Sequence, residues 1–278
     1  MTSTSLLDEY KQLLKKMGLT PNTSFGQNFL HSLEIAEWQV EQADIDNALV
    51  LEVGPGIGIL TRLLAKNAKY VWAIENDKNL YKYLNKEFEA YSNVSIILGD
   101  ALKIDFPDNI DRIVSNLPYS ISKKFVKKIS LNPVKAVTLM VQKEFANKLM
   151  AKPGDKNYRF ISFLAQSTYN IKLLRNVPRN SFYPIPHVDS VIIKLTQKDE
   201  ILIHWENYSK KQILYLEKIF ERRNKKLRNS LKTLPSKTSK KLGRTLTEKI
   251  LETRTREITP EIAKIILEEI KENDDPNN

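Results

Sequence analysis

The sequence predicts an α/β protein built on a mostly parallel sheet of about seven strands, followed by a small all-helical domain. Three observations lead there. Short apolar runs rich in β-branched residues alternate with helical segments up to about residue 198. Several of these runs end in Gly, Glu, Asp or Asn, and beyond residue 198 only helical periodicity remains. Near-continuous apolar runs separated by helices indicate strands covered on both faces, which is the habit of a parallel sheet.

Each element follows in order. Residues 34–47 read as a helix with Ile35, Trp38 and Ala43 among its apolar positions. Residues 48–53 form an apolar strand that runs into Gly54-Pro55-Gly56-Ile57-Gly58, with a helix over 59–67. A second strand, 70–74, ends at Glu75 and precedes a helix over 80–88; a third, 94–98, closes on Gly99-Asp100. The fourth, 112–115, runs straight into Asn116, and the fifth, 136–141, precedes a helix over 144–151. Strands near 171–174 and 190–195 complete the sheet. After it come helices over 210–231 and 260–271, the latter opened by Pro260 with Thr259 as its N-cap. The tail 273–278 is expected to fray. The expected domains are therefore 1–198 and 199–278.

Composition narrows the function. With 278 residues, 41% of them apolar, the chain can bury one large α/β core and a smaller unit. It has no run near the roughly 18 apolar residues a membrane span needs, and its first residues lack a secretory pattern, so a cytoplasmic protein is expected. The net charge is +11, and the basic residues cluster: Lys210, Lys211, Arg222, Arg223, Lys225, Lys226, Arg228, Lys232, Lys237, Lys240 and Lys241 face only Glu217 and Glu221. Such a cluster neutralises phosphates and releases counterions, so a nucleic-acid partner is expected, with Arg222, Arg223, Lys225 and Lys226 as candidate contacts. A solvated helix face is the bland alternative. The absence of cysteine removes thiolate metal sites and thiolate nucleophiles, and with them the covalent route to pyrimidine C5 methylation. The three histidines, His31, His187 and His204, show no metal-ligand spacing, so no metal is expected.

The motifs fit one chemistry. In parallel sheets ligands bind beyond the carboxyl ends of the strands, where Glu52, Gly54, Glu75, Asp100 and Asn116 fall. The turn Gly54-x-Gly56-x-Gly58 allows close backbone approach to a ligand. It departs from the G-x-G-x-x-G of pyrophosphate-binding turns, which favours a cofactor with a small charged tail. Glu75 is placed to accept from ribose hydroxyls, and Asp100 to accept from an adenine amine. Asn116-Leu117-Pro118-Tyr119 suits an exocyclic amine. The Asn116 side-chain carbonyl and the Leu117 backbone carbonyl would accept its hydrogens, Pro118 fixes the turn, and Tyr119 offers a stacking face worth about 1–3 kcal/mol. Together these point to methyl transfer from S-adenosylmethionine to a base nitrogen, driven by proximity and orientation. The rigid aromatic segment 182–190 supplies Phe182 as a candidate second wall; the alternative is a stiff connector that packs Phe182 into the core.

On these residues the chain resembles the KsgA-type rRNA adenine N6,N6-dimethyltransferases, whose fold is the Rossmann-like class I methyltransferase fold. The matching stretches are 24–30 (Ser24 to Leu30), 51–61, 73–77, 99–102, 114–122, 142–146, 151–154 and the Phe-x-Pro-x-Pro-x-Val-x-Ser of 182–190. Residues 142–146 and 114–119 look archaeal rather than bacterial. The resemblance implies Gln27, Asn28, Leu30, Gly54, Gly56, Glu75, Asp100, Ala101 and Asn116 as cofactor contacts, with Asn116 and Tyr119 shared with the target base. It implies as substrate two adjacent adenosines near the 3′ end of small-subunit rRNA, met in a pre-30S particle by a monomeric enzyme. One departure is Tyr158-Arg159-Phe160-Ile161-Ser162, where the family more often has Tyr-Gly-Arg-Leu-Ser; it puts the shape of that segment in question. Erm-type large-subunit enzymes share the core but more often carry Asn-Ile-Pro-Tyr. A non-catalytic assembly factor and a nicotinamide oxidoreductase are the readings from other classes.

Overall fold

Every strand expected from the apolar runs forms, and the chain order of those strands explains where a ligand can enter. A computed structural model describes residues 6–21 and 27–271. It divides into two compact units: residues 1–128, 134–146 and 171–197 in the first, and 129–133, 147–170 and 198–278 in the second.

In the first unit, helix α1 (Leu6–Lys16) precedes a two-residue strand β1 (Phe29–Leu30) and helix α2 (Leu33–Glu41). Then β2 (Leu49–Val53), α3 (Ile59–Asn67), β3 (Tyr70–Glu75), α4 (Lys78–Glu87), β4 (Val94–Leu98), β5 (Arg112–Asn116), α5 (Ser122–Leu131) and β6 (Ala136–Gln142) alternate. Strands β7 (Tyr169–Val177), β8 (Phe182–Tyr183) and β9 (Ser190–Gln197) follow later in the chain. The main sheet has seven strands in the order β4-β3-β2-β5-β6-β9-β7, and β1 pairs separately with β8. Strands β2 to β6 run parallel, whereas β9 is antiparallel to β6. The chain starts at β2, winds outward to β4, then crosses back to β5. Strand order therefore reverses between β2 and β5, and a crevice opens at their carboxyl ends.

Local chemistry sets the helix ends. The helix expected over 34–47 stops at Glu41, because Asp44 (φ 51°) and Asn47 (φ 54°) take left-handed conformations that turn the chain into β2. Its N-cap is Ser32, whose hydroxyl accepts from the Ile35 amide at 3.4 Å. Helix α4 begins at Lys78 because the Asp77 carboxylate accepts from the amides of Asn79 and Leu80, at 2.8 and 3.0 Å. Strands β2, β3, β5 and β6 are almost wholly buried, and the edge strand β4 only half so.

The second unit also takes in residues that precede the expected boundary at 198. It contains α6 in its last turns (Lys143–Leu149), α7 (Phe160–Thr168), α8 (Lys210–Glu221), α9 (Leu227–Ser230), α10 (Ser236–Thr245), α11 (Glu248–Glu252) and α12 (Pro260–Lys271). Helix α7 joins it because its rings pack there. Phe163 stacks on Phe220 at 5.4 Å, Phe160 meets Phe220 edge-on at 5.8 Å, and the Trp205 indole donates to Ser167 at 3.1 Å. Arg159 sits at φ −138°, ordinary extended backbone, with the Ser162 hydroxyl accepting from its amide at 3.0 Å. No glycine is required there, which resolves the departure at Tyr158-Arg159. Tyr158 is buried and donates to the Ile258 carbonyl at 3.1 Å.

The helix expected over 210–231 also differs: α8 ends at Glu221, and the basic run 222–226 is a turn that ends in a bridge between Lys226 and Arg254. Its peptide groups pair elsewhere. The Arg223 and Lys225 carbonyls accept from Arg256 and Thr255, each at 2.9 Å, and the Leu227 amide donates to Thr253 at 2.8 Å. A run of four like charges gains little from helix formation, so this ladder wins. Ser24 to Gly26 and the tail lie outside the described residues. No helix among the described residues is long and apolar enough to cross a membrane, and no group of acids and histidines among them could hold a metal ion.

Candidate active site

The glycine turn after β2 and the Asn116 segment after β5 meet at the switch point. Gly54 has φ +68°, and a Cβ there would stand 3.1 Å from the Pro118 ring. Gly56 has φ +61°, and its Cβ would stand 3.0 Å from the Phe29 ring. Both positions need the left-handed region and the missing side chain. The two strand ends are also tied by the Ser115 hydroxyl, which donates to the Val53 carbonyl at 2.5 Å.

Between them lies a cleft. It is lined by Gln27, Asn28, Gly54, Gly56, Glu75, Asn116, Leu117, Pro118, Tyr119 and Phe182, together with Phe29, Leu80 and Met140. Of the expected cofactor residues, Leu30, Asp100 and Ala101 are not in this lining. Leu30 is buried in the β1–β8 ribbon opposite Phe182. The Asp100 carboxylate accepts from the Leu102 amide at 2.9 Å and lies 3.7 Å from Lys103, holding the turn after β4. Ala101 is buried, and its carbonyl accepts from Lys128 at 3.0 Å.

The polar groups of the cleft are unevenly satisfied. The Asn116 side-chain oxygen is buried and has no hydrogen-bond partner within the protein. A buried carbonyl without a donor costs about 1–3 kcal/mol, so its place in a cleft marks a ligand position. Tyr119 presents its ring to the cleft while its hydroxyl lies 2.5 Å from that of Ser190, which is wholly buried. Burial holds the Tyr119 phenol above its ordinary pKa. The Pro118 carbonyl accepts from the Ile121 amide at 3.1 Å and the Ser122 hydroxyl at 3.2 Å, so the segment is fixed to the start of α5.

Glu75 is 6% exposed, and its carboxylate accepts from the Asp77 amide at 2.8 Å. Burial pushes its pKa up to about 7 against the backbone amides of Asp77, Gly56 and Asn76, which favour the charged form. Behind it Glu52, 1% exposed, is pushed up to about 8 by burial, with the nearby charge of Glu75 adding to the rise. The Thr61 hydroxyl donates to it at 2.7 Å.

Phe182 is 3% exposed in the core cluster, as the packing alternative expects, and it also lines the cleft. The pairing of Phe29 with Tyr183 and Leu30 with Phe182 also brings Gln27 and Asn28 to the cleft. Sequence reasoning missed Ser190, Met140 and Leu80. Ser190 had a signal, as the last residue of the Phe-x-Pro-x-Pro-x-Val-x-Ser stretch. Met140 had none, because its place follows from register: it is the β6 partner of Asn116.

The basic run is uneven in its own unit. Lys226 is ion-paired with Glu252, and the Arg223 guanidinium donates to the Lys156 carbonyl. Arg222 and Lys225 are exposed.

A doubly wound sheet with its cleft at the switch point, an acid at the second strand tip and an Asn-Leu-Pro-Tyr turn at the fourth defines a class I S-adenosylmethionine-dependent methyltransferase. Residues 18–267 match the ribosomal RNA adenine dimethylase family. The chain belongs to that family and is an rRNA methyltransferase that uses S-adenosylmethionine. It is 36% identical over 95% of its length to the probable ribosomal RNA small subunit methyltransferase A of Pyrococcus furiosus, covering 97% of that protein. It is 44% identical over 67% of its length to the corresponding protein of Thermococcus sibiricus, covering 68% of it. Among solved structures it is similar to a dimethyladenosine transferase from Plasmodium falciparum, with a TM-score of 0.72 and 28% identity, covering 88% of this chain and 98% of that one. The 23S rRNA methyltransferase ErmE gives 0.61 and 25%, covering 88% and 100%.

Proposed function

We propose that the chain dimethylates N6 of two adjacent adenosines near the 3′ end of small-subunit rRNA, acting as a cytoplasmic monomer on a pre-30S particle. The observation that carries the chemistry is the unpartnered Asn116 oxygen beside the Tyr119 ring. An adenine stacked on Tyr119 would place its N6 hydrogens against that oxygen, and the Leu117 carbonyl is the second acceptor. Orienting the amine through its hydrogens turns the nitrogen lone pair toward the methyl donor, and no strong general base is needed. Phe182 forms the opposite wall. The small-subunit target is supported by the names of the Pyrococcus and Thermococcus relatives.

The residues present fit the cofactor. Gly54 and Gly56 leave room for close backbone approach, and Glu75 is the acceptor for the ribose hydroxyls. Gln27 and Asn28 close the cleft from the N-terminal side. Leu30 and Ala101 rest on the resemblance alone, and Asp100 on the resemblance together with its place after β4. When bound, S-adenosylmethionine supplies an electrophilic methyl group on a positively charged sulfur. The segment 199–278 serves as the rRNA-binding domain, with Arg222 and Lys225 as its exposed cations and Arg223 and Lys226 beside them.

The test is methylation of under-modified 30S and 50S particles, followed by mapping of the modified positions. Dimethyladenosine is expected at two adjacent positions of small-subunit rRNA. Modification of the large subunit alone would overturn the substrate, in favour of the reaction named for ErmE. Asn116→Ala is expected to keep particle binding and lose most methyl transfer; unchanged turnover would remove its role.

A further inference from the structure

Helix α5 breaks an electrostatic rule at the mouth of the cleft. Acids are favoured in the first turn of a helix and lysines disfavoured, because the N-terminus carries about half a positive charge. The first turn of α5 holds no acid, yet Lys123 and Lys124 stand there. The surrounding sequence offers no compensation: between Asp111 and Glu144 there is no acidic residue, while Arg112, Lys123, Lys124, Lys127, Lys128, Lys135 and Lys143 all lie within that span.

The inward face of α5 is settled. Ser122, Phe125 and Val126 are buried, so Lys123 and Lys124 project from the opposite face, and both are exposed. Neither makes an ion pair or a side-chain hydrogen bond among the described residues. Lys128 differs, since its ammonium donates to the Ala101 and Ile104 carbonyls and sits 4.1 Å over the Phe106 ring. It holds the 101–106 loop. The first turn is also continuous with the cleft, through the bonds from Ile121 and Ser122 to the carbonyl of Pro118, a lining residue.

We propose that Lys123 and Lys124 hold the backbone phosphates of the rRNA strand that flanks the target adenosine. An unpaired dication at a helix N-terminus costs stability until an anion arrives, and local rules are broken at functional sites. Position selects the anion. A base stacked on Tyr119 leads its own strand past a turn that begins at Ser122. Phosphate contacts fix register and orientation while bases carry the identity, so this pair orients the strand without choosing the base. The proposal rests on the rRNA reading above.

The experiment compares the salt dependence of particle binding for the wild type, Lys123→Gln/Lys124→Gln, and the control Lys66→Gln/Lys69→Gln. The control pair is exposed at the end of α3 and the start of β3, at the opposite end of the strands from the cleft. Losing two phosphate contacts lowers the slope of log K against log salt by about 2. We expect that drop for the α5 pair only, with KM for the particle raised, cofactor affinity by calorimetry unchanged, and recovery in Lys123→Arg/Lys124→Arg. Three results would overturn the proposal: an unchanged slope in the α5 pair, an equal drop in the control pair, or a fall in cofactor affinity. A wrong substrate would show instead in the wild type, as absent small-subunit methylation, and the slopes would then be compared on whichever rRNA the wild type methylates.

Discussion

Ser190 is expected to set the orientation of Tyr119, and Ser190→Ala tests it. The two hydroxyls are 2.5 Å apart, Ser190 is wholly buried and Tyr119 largely so. Removing the serine oxygen leaves a phenol hydroxyl without its partner, which costs about 1–3 kcal/mol if water stays out. The stability loss in urea should fall in that range, with the m-value unchanged. Released from its anchor, the ring would sample rotations in which its face no longer receives the base. Turnover should therefore fall while cofactor affinity holds. Tyr119→Phe removes the other half of the same bond, so the two changes must not add. A double-mutant cycle should give a coupling of about 1 kcal/mol in stability, and the second substitution should have little further effect on kcat. Additive effects on both stability and turnover would refute the reasoning, because independent losses mean that the bond does not position the ring.

Four further outcomes follow from the structure. Gly54→Ala forces a side chain into φ +68° and toward the Pro118 ring at 3.1 Å; strain of about 1–2 kcal/mol should lower Tm by several degrees and weaken cofactor binding, and an unchanged melting curve would contradict the close approach. Glu52 and Glu75, raised to about 8 and about 7 from an ordinary 4.5, keep protons in the folded state that the unfolded chain has released. Stability should thus fall as pH rises from about 5 to about 8, and Glu52→Gln should flatten that loss in urea titrations at successive pH values. The proposed hydrogen bonds from ribose to Glu75 would favour its charged form, so cofactor binding should release protons near pH 7, measurable by calorimetry in buffers of different ionisation enthalpy. Neutralising Arg222, Arg223, Lys225 and Lys226 together should weaken rRNA binding and lower its salt slope by about 2 rather than 4, because Lys226 is paired with Glu252 and Arg223 is bonded to Lys156; an unaltered slope would return the run to an ordinary solvated surface.

The amino-acid sequence alone determined the sheet and the chemistry of its carboxyl edge. Apolar runs of strand length ending in Gly54, Glu75 and Asn116 leave little choice, because only strands buried on both faces dispense with alternation. The Asn-Leu-Pro-Tyr turn was legible by its place at the end of a strand, and the structure sets it in the lining of the cleft. The tertiary structure decided what depends on contacts distant in sequence. The place of Phe182 depended on the β1–β8 pairing, which sets it opposite Leu30, buried and at the edge of the cleft. Helix α7 is buried on nearly every side, and Phe220 and Trp205 decide which unit it joins. Residues 222–226 look helical in isolation and instead turn, because residues 253–256 offer their peptide groups other partners. Met140 and Ser190 reach the site through register and a single hydroxyl pair. The sequence therefore marked which groups stand at the carboxyl edge of the sheet, and only folding decided which neighbours hold them in place, since those neighbours are joined by space and not by spacing.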